Sequence, residues 1–247
     1  MILQKNNKMN IFIDIGTHKG QELNFLFYSN KLSILLAIIK GCLRNCIVER
    51  KKPLLINIFI MFKKLDHLRS ISKNKEVIAV EPNVNLLSNK IYKLCDIVFN
   101  LSLSSSKNLS IQKLFFANND IEGQGSSLYI NKKNVSEKNY MNTVVLNGDY
   151  FFELLKRFLD ERYVDYKIFL RINNEGEEFN TIKSCLKVFD EKVYFIGGSL
   201  KDSIVLHSQN EYRELLDILE KNNINFIDFS GDYKTWPVAI TALSEVI

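Results

Sequence analysis

Two glycines and three polar side chains lie around the turn that follows the first apolar run of the chain. The run ends at Asp14 and Ile15, and Gly16, Thr17, His18 and Gly20 come directly after it. Glycines in such a turn let the backbone approach a ligand closely, and a helix that begins at Gly20 would offer free N–H groups. A dinucleotide fingerprint would read G-x-G-x-x-G, whereas this loop reads D-x-G-x-x-x-G, which disfavours a nicotinamide cofactor. The loop predicts either a small-molecule site or a plain strand-to-helix turn.

A strand-end acid and an asparagine are further candidates for a site near this loop. Glu81 ends the apolar segment 77–80, and Asn100 lies within the third apolar segment, 96–103. An ionised carboxylate can accept two hydrogen bonds at once, with no proton of its own to place. Ligands of parallel α/β sheets bind at the carboxyl ends of the strands. We therefore expect Glu81 and Asn100 to lie near the glycine loop.

Two ionisable side chains further along are candidates for general acid–base work. Glu175 follows an apolar strand and precedes a helix, and His207 stands ahead of a charged helix, with an imidazole that changes charge near neutral pH. The alternative for Glu175 is a helix-capping carboxylate, and for His207 a structural or exposed side chain. The four cysteines lack C-x-x-C spacing and there are three histidines, so no metal site is predicted.

Strand-like apolar runs alternate with helix-like segments along the chain. This alternation predicts an α/β fold with a Rossmann-like, mainly parallel sheet flanked by helices. The predicted strands are residues 10–15, 77–80, 96–103, 110–116, 127–130, 166–172, 193–196 and 224–229. The predicted helices are residues 20–27, 85–94, 149–159, 177–189 and 210–221.

Length and composition favour one globular domain spanning residues 1–247. Hydrophobic types make up 46% of the chain, which has only 3 Pro and 10 Gly, so collagen-like and low-complexity disordered classes are excluded. The longest apolar stretches fall well short of the roughly 20 residues that span a bilayer, and no secretory segment is evident. We therefore expect a cytoplasmic protein.

The basic charge is concentrated in segment 31–75. This segment holds eleven Lys and Arg residues against two acidic ones, whereas the whole chain has a formal net charge of +5. Apolar residues recur in it at roughly helical spacing, which predicts a basic helical insertion after the first helix. Its lysines form either a solvated helix face or a surface that meets anionic lipid or an anionic glycan.

Three further segments carry a family resemblance. Residues 171–178 read R-I-N-N-E-G-E-E, residues 145–149 read V-L-N-G-D, and residues 125–128 read G-S-S-L. Together with the D-x-G-x-x-x-G loop and Glu81, they resemble the FkbM-type family of class I S-adenosylmethionine-dependent methyltransferases over most of residues 11–230. The resemblance implies a domain that binds S-adenosylmethionine and methylates a hydroxyl group of a sugar in a polysaccharide or glycolipid.

The same resemblance implies roles for the candidate residues. The glycine loop would hold the amino-acid end of the cofactor, Glu81 would accept both ribose hydroxyls, and Glu175 or His207 would take the proton of the acceptor. The cofactor-binding residues implied in this way are Asp14, Gly16, Thr17, His18, Gly20, Glu81 and Asn100.

Two other functions remain open. Asn173 stands where the family pattern has an aspartate, so one alternative is a non-catalytic cofactor-binding or interaction module that keeps the fold. The other is a nucleic-acid methyltransferase whose segment 31–75 contacts phosphates, ranked lower because no basic strand interleaved with base-stacking aromatic residues is evident. Strongly salt-dependent binding to RNA or DNA would favour nucleic acid, whereas binding to anionic vesicles would favour a glycan acceptor at a membrane surface.

Overall fold

The structure, a computed structural model, describes residues 8–20, 23, 27, 74–106, 109–117, 125–224 and 226–228. The strands are β1 (Met9–Ile15), β2 (Lys75–Val80), β3 (Ile97–Phe99), β4 (Ser102–Ser104), β5 (Ser110–Ala117), β6 (Val135–Asn147), β7 (Tyr166–Ile172), β8 (Val193–Gly198) and β9 (Phe226–Asp228). The α-helices are α1 (Gly148–Arg162), α2 (Glu178–Phe189), α3 (Lys201–Leu206) and α4 (Gln209–Lys221).

Six parallel strands form the main sheet. Their spatial order is β3-β2-β1-β7-β8-β9, and every neighbouring pair is parallel. Strands β1, β2 and β7 are near-continuous apolar runs because both of their faces are covered, as is usual for parallel sheets. The predicted α/β fold with a mainly parallel sheet is confirmed, and the strand order is that of doubly wound sheets.

Helices and short turns cover the two faces of this sheet. On one face, Phe152 of α1, Phe179 of α2 and Leu215 of α4 belong to a core cluster with the side chains of the central strands. On the other face, Leu86 and Tyr92 pack in a second cluster. The two clusters fix the sheet between layers, so the strand ends keep defined positions.

A second, smaller sheet has the order β4-β6-β5, with β6 parallel to β4 and antiparallel to β5. A single strand over 96–103 is predicted from the sequence, and that prediction is wrong, because the chain leaves the main sheet after β3 and enters the second at β4. The amide of Asn100 lies at this break and donates to the carbonyl oxygens of Glu81, at 2.8 Å, and Pro82, at 3.1 Å.

Other boundaries also differ from the sequence predictions. Instead of an α-helix, residues 85–94 contain two 3₁₀ turns, Val84–Ser88 and Lys90–Lys93, because the extended backbone of Asn89 interrupts them. Residues 127–130 form no strand beyond one bridge from Ser127 to Phe115. Strand β6 and helix α3 are not predicted from the sequence.

Some predictions lie outside the described residues. The basic insertion over 31–75 is described only at its last two residues, and the helix over 20–27 only at Gly20, Leu23 and Phe27. The partners assigned to the insertion therefore stay predictions. Within the described ranges, no helix has both the length and the apolar character needed to cross a membrane.

Helix α4 begins with a capping box. The Ser208 hydroxyl accepts from the Glu211 backbone N–H at 3.2 Å, and the Glu211 carboxylate accepts from the Ser208 backbone N–H at 2.8 Å. We expect Ser208→Ala to lower the free energy of unfolding by about 1 kcal/mol, because the first turn loses an acceptor. Urea unfolding followed by circular dichroism measures this, with Ser208→Gly as the control, expected to lose only a few tenths of a kcal/mol. Equal losses in both variants would contradict the capping explanation.

Candidate functional site

A cleft opens at the carboxyl ends of β1, β2 and β7. The strand order reverses between β1 and β7, and doubly wound sheets bind their ligands at this point. The cleft is open to solvent, and the space between its walls and at its mouth amounts to about 830 Å³. Main-sheet residues on its walls are Gly16, Thr17, His18, Glu81, Arg171, Asn173, Asn174 and Glu175. The cleft is also lined by residues of β4, β5 and the segments next to them, namely Leu101, Ser102, Leu103, Leu114, Gly125, Ser126 and Leu128.

An ion pair joins β1 and β7 beside the cleft. The strand register sets Asp14 opposite Arg171, whose Nη1 donates to Asp14 Oδ1 at 2.9 Å and to the Gly16 carbonyl at 2.6 Å. Asp14 is only 1% exposed, so the pair compensates a charge that water does not reach. The Thr17 hydroxyl donates to the Asp14 carbonyl at 2.8 Å. Asp14 therefore positions the loop and is not itself on the described cleft wall.

The first glycine of the loop sits where no side chain fits. Gly16 has a φ of +72°, and a Cβ atom built on it would lie 2.0 Å from the carbonyl oxygen of Asn173. The loop after β1 and the loop after β7 therefore touch backbone to backbone. Gly20, with a φ of +63°, is similarly close to the Ile91 side chain and supports the loop from behind.

Glu81 holds the glycine loop at His18. Its Oε2 accepts from the backbone N–H of His18 at 2.7 Å, and its Oε1 accepts from that of Asn83 at 2.8 Å. Burial raises the pKa of Glu81 to about 7, and these two N–H groups oppose that rise only in part. Each oxygen engages one N–H in these bonds, and a carboxylate oxygen can accept more than one hydrogen bond.

The predicted cofactor residues fall into two groups. Gly16, Thr17, His18 and Glu81 lie on the described cleft wall. Asp14, Gly20 and Asn100 are absent from that wall. Asn100 instead supports the end of β2 through the carbonyls of Glu81 and Pro82.

Glu175 reaches the cleft from the loop after β7. Its backbone is in the left-handed region, with a φ of +56°, which is uncommon for a residue other than glycine. Its carboxylate forms an ion pair with Lys132 and accepts from Asn173 Nδ2 at 3.2 Å. Burial, followed by a hydrogen bond with Asp202, raises the pKa of Glu175 to about 8. The helix-capping alternative is not what the structure shows, because the residue before α2 is Glu177.

His207 is held in a structural setting. Its Nε2 lies 2.6 Å from the Gly176 carbonyl, its Nδ1 lies 3.5 Å from Glu211 Oε1, and its ring packs against Phe179. It is not part of the described cleft wall, so the structure does not bring it together with Glu175 at the site. Of the two predicted proton acceptors, Glu175 alone is on that wall.

Sequence reasoning missed three charged residues at or behind the site. Arg171 interrupts an apolar strand, and a charge inside a buried strand implies a partner, so that signal was available. Lys132 and Asp202 stand in polar stretches whose composition gives no hint of burial. Their relevance to Glu175 appears only when the chain folds.

No group of three or more His, Cys, Asp and Glu side chains within the described ranges could hold a metal ion. In comparisons with known proteins, no family model, no curated protein and no solved structure matches this chain. The function is therefore argued from the cleft.

Proposed function

We propose that this protein is an S-adenosylmethionine-dependent O-methyltransferase of the FkbM type, acting on a hydroxyl of a sugar in a polysaccharide or glycolipid. The observation that carries the proposal is the position of Glu81, a buried acid at the end of β2 that lines the cleft beside the glycine loop. An acid at this place suits the two hydroxyls of a ribose, because a carboxylate accepts from both.

The residues on the cleft wall fit a nucleoside with an amino-acid tail. Glu81 is oriented by two backbone N–H groups and can accept additional hydrogen bonds. Gly16 lines the cleft without a side chain, so a ligand can lie against the backbone of the loop. Glu81 would hold the ribose, and the loop from Gly16 to Lys19 would hold the amino-acid end. When bound, the sulfonium supplies an electrophilic methyl group, so the protein has mainly to orient the acceptor and take its proton.

Asn173 is compatible with turnover. Its amide donates a hydrogen bond to the Glu175 carboxylate, whereas an aspartate at this position would put a second negative charge beside Glu175. This contact favours an enzyme over the non-catalytic alternative. The nucleic-acid alternative depends on segment 31–73, which lies outside the described residues, and so does the proposed contact with an anionic membrane surface.

Calorimetric titration tests the cofactor assignment directly. We expect S-adenosylmethionine and S-adenosylhomocysteine to bind at one site, and NAD to give no heat of binding at the same concentration. Transfer of tritium from methyl-labelled S-adenosylmethionine to a panel of polysaccharides and glycolipids then tests the acceptor. Failure of both nucleosides to bind would disprove the proposal.

Binding should weaken as the pH falls through 7. The two ribose hydroxyls donate hydrogen bonds to the ionised carboxylate of Glu81. Protonation of this carboxylate removes acceptor capacity, so the ionised form of the protein binds the nucleoside more tightly. With a pKa of about 7, the ionised fraction falls about tenfold between pH 8 and pH 6, and the affinity should fall about as much. Titration with 5′-methylthioadenosine, which has no amino-acid amine, measures this. The matched control is Glu81→Gln, whose affinity should not change over this range.

A further inference from the structure

A buried lysine stands behind Glu175, between two carboxylates. Lys132 Nζ forms an ion pair with Glu175, lies 3.2 Å from Asp202 Oδ2, and donates to the Gly125 carbonyl at 3.0 Å. The side chains of Lys132, Glu175 and Asp202 are 6%, 15% and 28% exposed, respectively. Exposure thus increases from the lysine through Glu175 to Asp202.

The same contacts hold Glu175 at the wall of the cleft. Lys132 binds the carboxylate from behind, and the Ser127 hydroxyl donates to the Glu175 carbonyl at 2.6 Å. A lysine this buried is rarely found without a paired charge, and here two carboxylates supply it. The Glu175 and Asp202 carboxyls both contact the same Lys132 ammonium and are therefore close neighbours, which gives a proton a short route from one to the other.

We propose that Lys132 is a positioning residue that holds Glu175 toward the substrate hydroxyl, and that Asp202 relays the proton accepted by Glu175 to solvent. This inference rests on the proposed function. As the hydroxyl oxygen bonds to the methyl carbon, the carbon–sulfur bond breaks and its electron pair stays on sulfur. Glu175 takes the hydroxyl proton and becomes neutral, and it is reset when that proton leaves through Asp202 to water.

The charges around Glu175 determine how readily it accepts this proton. Lys132 faces it from the loop before β6, and Asp202 faces it from α3. Lys201 and Glu178 act on it indirectly, because both interact with Asp202. The lysine stabilises the ionised form of Glu175, whereas Asp202 opposes ionisation, so the two neighbours have opposite effects that can be measured separately.

Carbon-13 NMR of protein labelled at the glutamate carboxyls tests the inference, with Glu175→Gln identifying the Glu175 signal. In the wild-type protein we expect this carboxyl to titrate at about 8. Lys132→Met should raise its pKa by about 1 to 3 units, because a nearby cation is lost, and Asp202→Asn should lower it. The control is Lys133→Met, which removes the charge of the exposed residue next to Lys132 and should leave the pKa of Glu175 unchanged. If Lys132→Met does not fold, Asp202→Asn and Lys132→Arg test the inference instead. The arginine variant keeps the positive charge, so the pKa of Glu175 should stay near the wild-type value.

The outcomes separate this inference from the function on which it rests. A lysine that stabilises the fold without contacting the Glu175 carboxylate would change the free energy of unfolding and leave the titration of Glu175 where it was. The inference alone would be overturned if S-adenosylhomocysteine bound normally but the Glu175 carboxyl titrated in its ordinary range. It would also be overturned if S-adenosylhomocysteine bound normally but neither variant changed the pKa of Glu175. Absence of S-adenosylhomocysteine binding in the wild-type protein would overturn the proposed function and with it the substrate named here.

Discussion

Replacing Arg171 with Met is expected to lower the free energy of unfolding by about 3 to 5 kcal/mol, the usual cost of breaking a buried ion pair from one side. The substitution removes the arginine partner of the Asp14 carboxylate, which is buried between β1 and β7. It also removes the donor to the Gly16 carbonyl. Urea unfolding followed by circular dichroism measures the loss.

Two further variants show whether the lost charge is the cause. Adding Asp14→Asn to Arg171→Met should recover part of the stability, because a neutral amide replaces the buried carboxylate that has lost its arginine. The control is Lys183→Met, which breaks an ion pair of 2.7 Å to the largely exposed Glu214 and should cost less than about 1 kcal/mol. A double variant less stable than Arg171→Met would refute this account of the pair.

Replacing Glu81 with Gln is expected to weaken S-adenosylhomocysteine binding at pH 8 by roughly 10- to 150-fold, that is by about 1.5 to 3 kcal/mol. A glutamine keeps one acceptor oxygen and turns its NH₂ group toward the other backbone N–H, so it loses one of these two contacts, and it cannot accept two ribose hydroxyls as a carboxylate does. The expected loss includes both effects. Calorimetric titration at constant pH measures it.

The same strand provides the control for this variant. Glu76 is a second buried acid on β2, at the end away from the cleft, where it accepts a hydrogen bond from Tyr163. Glu76→Gln should lower stability without changing the affinity for S-adenosylhomocysteine by more than about twofold, the scale of ordinary distant effects. If both variants weakened binding equally, the ribose would have to lie elsewhere.

The parts of the fold that the sequence predicts are those whose pattern is local. Strands β1, β2 and β7 are buried on both faces, and their apolar runs indicate this without further information. The glycine loop and Glu81 follow two of these strands directly, so parallel alignment brings them to one edge. That alignment also explains why four of the predicted cofactor residues line the cleft.

The missed parts depend on tertiary contacts. Strand β6 is largely exposed along residues 136–142 and has no apolar periodicity there, and its pairing with β5 is what makes it a strand. The break at Asn100 depends on carbonyls about 18 residues away along the chain. Lys132 and Glu175 are 43 positions apart, so no spacing rule in the sequence could connect them.

The two walls of the cleft come from different sheets. Main-sheet loops supply Gly16 and Glu81, whereas the other wall includes Leu103 of β4 and Leu114 of β5. Exchanges at Leu114 can thus change the shape of the cleft while the hydrogen bonds of Glu81 are kept. One wall can therefore vary during evolution without a change in the other.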